Sequence, residues 1–293
     1  MMSLAKDTVI GFIGSGVMGK SMAANLMEAG FPLNVYTRTK TKADELLEAG
    51  AVWKESAADL AAESDVIITI VGYPSDVEEV YFGDNGILAH ARSGSFVIDM
   101  TTSKPKLAER ISKEASKKGI EAMDAPVSGG DIGAKNGTLA IMAGGSETAF
   151  HELRPIFDVM GSNIVHQGPA GSGQHTKMSN QIAIASNMIG VCEAITYAEK
   201  AGLDPDRVLS SISTGAAGSW SLSNLAPRMI AGDYDPGFYV KHFIKDMKIA
   251  LESAQEMELL TPGLELSLSL YQRLAESGGE DYGTHALFKM FRA

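Results

Sequence analysis

Along its first half the chain alternates short apolar runs with helix-length amphipathic segments. The runs "TVIGFIG", "LNVYTR", "DVIITIVG", "SFVIDMT", "IEAMDAPV" and "LAIMAGG" predict strands. Between them, "VMGKSMAANLMEAG", "TKADELLEAG", "SAADLAAE", "PSDVEEVYF", "KPKLAERISKEASKKG" and "SETAFHELRPIFDVMG" show helical spacing or a capping residue ahead of the first turn. "DVIITIVG" is apolar on both faces of an extended chain, the mark of a parallel sheet covered by helices on both sides. The pattern predicts a doubly wound α/β domain over residues 1–168.

From Ser172 onward the two-residue period is gone. Helical repeats follow over 173–200, then "DPDRVLSSIS", "SWSLSNLAPRMI", "VKHFIKDMKIALESAQEME", "PGLELSLSLYQRLAESG" and "THALFKMF". They predict an all-helical second domain over 169–293, opened by one helix of about 28 residues spanning roughly 40 Å. Pro205 and Pro262 fall at first turns, where proline is tolerated. A helix so long and apolar is more than one small domain covers, which predicts a homodimer or homotetramer.

Composition narrows the partners. The chain has 293 residues, 45% of them apolar and 21% charged, with a formal net charge of −11. That balance fits a globular protein and argues against nucleic acid, whose phosphates need clustered Lys and Arg. A small anion held by a local pocket remains compatible with it. The one cysteine, Cys192, cannot form an internal disulfide and reads as a buried, inert thiol. The start "MMSLAKDTVIGFIG" shows no secretory leader, and no run is long and apolar enough to span a membrane. A cytoplasmic location is the expectation. The six histidines are scattered without ligand spacing and no Cys cluster occurs, so no metal is expected.

The chemistry begins at "VIGFIGSGVMGKSMAANL", where Gly14-x-Gly16-x-x-Gly19 follows a strand and opens a helix. Gly14 suits the tight turn, Gly16 lets a pyrophosphate approach the backbone, and Gly19 lets helix and strand pack closely. The loop's Ser15 and the N–H groups of Val17 and Met18 complete a dinucleotide-binding candidate. After the second predicted strand comes "TRTK" rather than an acid. Arg38, followed by Thr39, suits a 2′-phosphate, because a guanidinium pairs with it where a carboxylate would repel it. This predicts NADP(H) as the preferred cofactor, with NAD(H) also usable; in the plainer reading Arg38 and Lys40 form a solvated loop that serves both. Lys177 and Asn180, three apart in "GSGQHTKMSNQIAIASNMIG", share a helix face that meets either water or a substrate.

Four blocks together resemble one family. "GFIGSGVMGKSMAANL", "DAPVSGG", "GSGQHTKMSNQ" and "KDMKIALE" are similar, in order and spacing, to the β-hydroxyacid dehydrogenases. That group takes in 3-hydroxyisobutyrate dehydrogenases, tartronate semialdehyde reductases and glyoxylate/succinic semialdehyde reductases. The resemblance implies a Rossmann-type domain and a helical domain joined by a long helix, with the active site in the cleft between them. It implies that a short 3-hydroxy acid and its semialdehyde are interconverted by hydride transfer, with Lys177 as general acid/base accompanied by Asn180. It implies a substrate-carboxylate site at Ser128, Gly129 and Gly130, although a bare "SGG" also suits a flexible turn. Lys245 is implied to close over nicotinamide and substrate, with Asp246 and Lys248 in surface or packing roles. Thr102, rather than Thr101, is implied to meet the nicotinamide ribose.

The chain departs from the family pattern at three places. Gln181 stands where a second Asn is common, and "VGYPSD" stands where many members have Leu-Pro. Trp220 stands where the family lines its substrate pocket, though a ring there also suits a helical core. Three alternatives compete with this reading. One is a non-catalytic dinucleotide-binding protein of the same fold. The others are an imine reductase relative, typically without the lysine, and a 6-phosphogluconate dehydrogenase-like decarboxylase, a much longer chain.

Overall fold

Nine strands form a single sheet: β1 (Ile10–Ile13), β2 (Leu33–Tyr36), β3 (Val52–Trp53), β4 (Val66–Thr69), β5 (Phe96–Asp99), β6 (Glu121–Asp124), β7 (Val127–Ser128), β8 (Leu139–Gly144) and β9 (Gly161–Gly168). The structure is a computed structural model that describes residues 7–292. The expectation that no secretory leader opens the chain rests partly on residues 1–6, which lie outside the described residues. The chain divides into two compact units, the first ending at Lys177 and the second beginning at Met178.

In the first unit six strands run parallel in the order β3-β2-β1-β4-β5-β6. Among the described residues eight α-helices surround them: α1 (Val17–Glu28), α2 (Asp44–Glu48), α3 (Ala57–Ala62), α4 (Pro74–Phe82), α5 (Ile87–His90), α6 (Pro105–Ser116), α7 (Gly130–Lys135) and α8 (Glu147–Met160). Alternate residues of each strand feed opposite cores, as the pleat requires. Ile10, Phe12, Val66 and Ile68 pack with Met22 and Leu26 of α1 and with Phe150, Leu153 and Phe157 of α8. Ile13, Ile67 and Val97 face the other way, against Leu60, Val77, Leu107 and Ile111 of α3, α4 and α6. The doubly wound expectation is met.

The sheet changes direction once. β8 is antiparallel to β6 and β7, and β9 then pairs parallel with β8. Because β7 pairs directly with β8, Val127 opposite Ile141, the chain doubles back after α7 instead of crossing over.

The second unit is helical among the described residues. The long helix α9 (Ser172–Lys200) starts in the first unit and continues into the second, followed by α10 (Pro205–Ile212), α11 (Trp220–Asn224), α12 (Ala226–Ala231), α13 (Val240–Glu256) and α14 (Pro262–Leu274). Pro205 and Pro262 are first helical residues, and Asp204 caps α10 by accepting from the N–H groups of Asp206 and Arg207. Met188, Cys192 and Ile195 of α9 pack with Phe243 and Met247 of α13, Tyr271 of α14 and Phe288. Cys192 is fully buried, and burial pushes its thiol up in pKa, so it is held neutral. No helix among the described residues is long and apolar enough to cross a membrane.

Candidate active site

Five segments singled out in the sequence follow the carboxyl ends of five neighbouring parallel strands. Arg38 and Thr39 follow β2, the glycine loop follows β1, "GYPSD" follows β4, Thr101 and Thr102 follow β5, and "APVSGG" follows β6. This edge is where ligands bind in open α/β sheets.

The glycine loop has the sterics its motif demands. Gly14 adopts φ +104°, and a Cβ there would lie 2.1 Å from the Ile70 carbonyl oxygen. A Cβ on Gly19 would lie 1.9 Å from the Gly14 carbonyl oxygen, so α1 can press onto the turn only as glycine. Gly16 faces open space, the approach a diphosphate needs. Helix α1 has neither a side-chain cap nor an acid in its first turn, and the buried Ser15 hydroxyl has no hydrogen-bond partner. Val17 is exposed and Met18 half-buried at the same helix start. N–H groups, an orphan hydroxyl and the positive helix end fit a pyrophosphate.

The loop after β5 is held from below. Tyr81 and Asp99 both reach Thr69 Oγ1, at 3.1 and 3.0 Å. Since Asp99 accepts from Thr69, the Tyr81 hydroxyl donates to it. The Thr101 N–H also donates to Asp99, while Thr101 Oγ1 accepts from the Val71 N–H at 2.9 Å. Burial pushes the Asp99 carboxyl up to about 6, against the pull of hydrogen bonds from Thr101 and Thr69. Thr101 is thus committed to the framework and buried, whereas Thr102 is half-buried.

The start of α9 is clamped to the sheet by Asp124, the acid of "DAPVSGG". Its two oxygens accept from the Gly171 N–H at 2.7 Å and the Gln174 N–H at 2.8 Å, meeting donors that a helix start leaves unpaired. Burial raises the Asp124 pKa, and these N–H groups oppose the rise. Gln174, fully buried, ties the same turn to the β5 loop: its amide donates to the Thr101 carbonyl at 2.7 Å and accepts from the Ser103 N–H at 2.9 Å. A Cβ on Gly173 would come within 2.3 Å of the Met142 carbonyl oxygen, so only glycine allows this contact.

Lys177 sits one turn further on. It is 7% exposed, and its Nζ donates to the Val127 carbonyl at 2.8 Å, one residue before Ser128. Gly129 and Gly130 both have positive φ, +134° and +64°, at the start of α7. Successive backbone N–H groups in such a turn form an anion-accepting concavity.

In the second unit a polar chain runs through apolar surroundings. Asn180, half-buried, donates to Gln181 Oε1 at 2.7 Å, and Gln181 donates to Asp246 Oδ2 at 2.5 Å. Asp246 Oδ1 lies 2.7 Å from the Lys245 ammonium. Gln181, left without a role by the sequence reading, is fully buried and stands at i+4 from Lys177 on the same helix face. That spacing was the available signal. Asp246, expected at the surface or in packing, is a buried acceptor. Trp220 opens α11 at 65% exposure, outside the helical core. Among the described residues no group of three or more metal-ligating side chains is assembled.

Residues 9–168 match the NAD binding domain of 6-phosphogluconate dehydrogenase, and residues 171–291 match the NAD-binding domain of NADP-dependent 3-hydroxyisobutyrate dehydrogenase. An uncharacterized oxidoreductase of Bacillus subtilis, YkwC, is 64% identical over 96% of this chain and 98% of its own length. The 2-hydroxy-3-oxopropionate reductase of Escherichia coli is 41% identical over 95% of each chain. Among solved structures, 3-hydroxyisobutyrate dehydrogenase of Mycobacterium tuberculosis, described with L-serine, superposes with a TM-score of 0.90 at 31% identity, covering 98% of this chain and 100% of that one. A sheet edge with this glycine loop, carried into a helical unit, defines a nicotinamide-dinucleotide-dependent oxidoreductase. Within that class the chain belongs to the β-hydroxyacid dehydrogenase family.

Proposed function

We propose that this enzyme interconverts a short 3-hydroxy carboxylate and its semialdehyde, with Lys177 as the group that gives and takes the proton. The observation that carries the proposal is the burial of the Lys177 ammonium 2.8 Å from the Val127 carbonyl, beside the Ser128–Gly130 turn. A lysine on a helix is ordinarily solvated. One buried beside an anion-accepting turn suits a substrate that carries a carboxylate at one end and a developing alkoxide at the other.

A nicotinamide held at this edge would supply or accept the hydride at the substrate's third carbon. The glycine loop, Ser15 and the N–H groups of Val17 and Met18 would hold its diphosphate, and Thr102 its nicotinamide ribose. The Ser128 hydroxyl and the Gly129 and Gly130 N–H groups bind the carboxylate. In reduction Lys177 donates its proton to the oxygen that becomes the alcohol; in oxidation its neutral amine takes that proton back. Asn180, with its amide held by Gln181, offers a hydrogen bond to the same oxygen, and Lys245 adds a second cation for the anionic substrate.

The names of the relatives point to one substrate skeleton. 2-Hydroxy-3-oxopropionate, the aldehyde of 3-hydroxyisobutyrate, and L-serine share a carboxylate at C1 and an oxygen at C3, and differ at C2. The machinery above addresses C1 and C3, so the C2 substituent is what selects the substrate. Arg38 favours NADP(H) over NAD(H) through the 2′-phosphate. Exposed Tyr197, Leu203, Leu259, Leu260 and Leu266 in the second unit support association of copies of this chain as a dimer or tetramer.

The test is a panel of these hydroxy acids and their aldehydes with both cofactors, for the wild type and Lys177→Ala. General acid–base help is worth about 10²–10⁴ in rate, so the variant should lose that much kcat while binding NADP⁺ as tightly as the wild type. Near-normal turnover in the variant would remove Lys177 from the mechanism. No turnover by the wild type across the panel would favour a dinucleotide-binding protein without chemistry.

A further inference from the structure

Arg38 does not face solvent alone. Its Nη1 lies 3.0 Å from Asp76 Oδ1, with the arginine side chain 80% exposed and the aspartate 18%. Arg38 lies in the loop after β2 and Asp76 in the first turn of α4, which follows β4; these strands lie on either side of β1, so the ion pair flanks the strand end that carries the glycine loop. Asp76 is not free to swing away. Its other oxygen accepts from the Tyr73 N–H at 3.1 Å, which ties it to the start of α4. A fixed carboxylate thus stands where Arg38 would receive a 2′-phosphate.

We propose that Asp76 is a specificity-determining residue for the cofactor, competing with the 2′-phosphate of NADP(H) for the Arg38 guanidinium and drawing the enzyme back toward NAD(H). The inference rests on the reading that Arg38 faces the adenosine ribose. An ordinary NAD-selective site carries its acid at the end of the second strand, where it accepts from the ribose 2′-hydroxyl. Here that position is Thr37, and the acid paired with the arginine comes instead from the first turn of α4. With NAD(H) the pair stays intact and the carboxylate can accept from the 2′-hydroxyl. With NADP(H) the guanidinium must leave the carboxylate for the phosphate, and the freed carboxylate faces an anion. Because the guanidinium is largely exposed and solvent screens the pair from that side, the opposition is partial, and both cofactors remain usable.

The experiment measures dissociation constants by calorimetry for NADP⁺, NAD⁺ and adenosine 2′-monophosphate. It compares wild type, Asp76→Asn, Asp76→Ser, Arg38→Ala and the Arg38→Ala/Asp76→Asn double variant. Asn and Ser both retain an oxygen that caps α4, so folding is preserved in at least one, as checked by thermal unfolding. The expected result is NADP⁺ and adenosine 2′-monophosphate binding tightened about fivefold in Asp76→Asn, the scale of an exposed ion pair, with NAD⁺ unchanged or weaker. The gain should vanish when Arg38 is already Ala. Unchanged or weaker NADP⁺ binding in both Asp76 variants overturns the proposal, because a residue that merely props up Arg38 would give that result. A gain that persists without Arg38 overturns competition as its basis. If Arg38→Ala leaves NADP⁺ binding intact, the assignment of Arg38 itself fails, a separate outcome.

Discussion

At Lys177 the polar groups are buried and tied to backbone atoms at 2.7–2.9 Å through Asp124, Gln174 and Val127; at Arg38 a long, largely exposed side chain pairs with a single carboxylate. Both regions hang from the carboxyl edge of the same sheet, yet they obey different electrostatics. Buried hydrogen bonds are worth most when broken, because each orphaned group keeps its desolvation cost. Exposed ion pairs are screened and lose little when removed. The comparison teaches that the Lys177 end is built for fixed geometry and the Arg38 end for adjustable pairing.

The contrast can be broken or sharpened by substitution. The largest effect on stability should come from Asp124→Ala, which strands the Gly171 and Gln174 N–H groups in a buried site and should cost about 3 kcal/mol. A urea midpoint shifted by less than the equivalent of about 1 kcal/mol, with unchanged slope, would show that the clamp does not hold α9.

Next comes Asp99, whose carboxyl is pushed up to about 6 by burial. Its folded state binds the proton more tightly than the unfolded chain, whose pKa is near 4. Stability from that difference is complete below about pH 4 and is lost as pH rises through about 6, for about 2–3 kcal/mol. Asp99→Asn, which still accepts from Thr69 and Thr101, should flatten the pH dependence of the unfolding midpoint across that window. An unchanged slope would assign the window to other groups.

The smallest effect belongs to the exposed side. Lys20 and Glu45 meet at 2.7 Å beside the glycine loop, with side chains 38% and 74% exposed. Glu45→Gln should stay within about 0.5 kcal/mol of the wild type in thermal unfolding. A loss comparable with that of Asp124→Ala would erase the distinction between the two regions.

Much of this architecture was legible because particular residues carry their own sterics. The three glycines of the first loop could be assigned separate duties, and the structure sets Gly14 and Gly19 against named backbone oxygens while Gly16 faces open space. The six apolar runs all contain strands, and the helical second half follows its period. Short and polar elements escaped. β3 is two residues, and β9 places Ser162, Asn163, His166 and Gln167 among few buried positions, so neither shows an apolar run. The reversal at β8 depends on which strand β7 pairs with, a long-range choice that local pattern does not encode. The Gln181–Asp246 link joins residues 65 apart, and a buried carboxylate beside a lysine on a charged-looking helix reads as surface until its neighbours are known.

The clamp at the start of α9 works as an indexing device. Gln174 is pinned by Asp124, and Lys177 follows three residues later on the same rigid spiral, so counting along the chain sets the compass bearing of the ammonium. Each residue of an α-helix turns its side chain by about 100°. One extra residue inserted between 174 and 177 would therefore aim the amine away from Val127 without disturbing anything upstream, and removing one would do the same in the opposite sense.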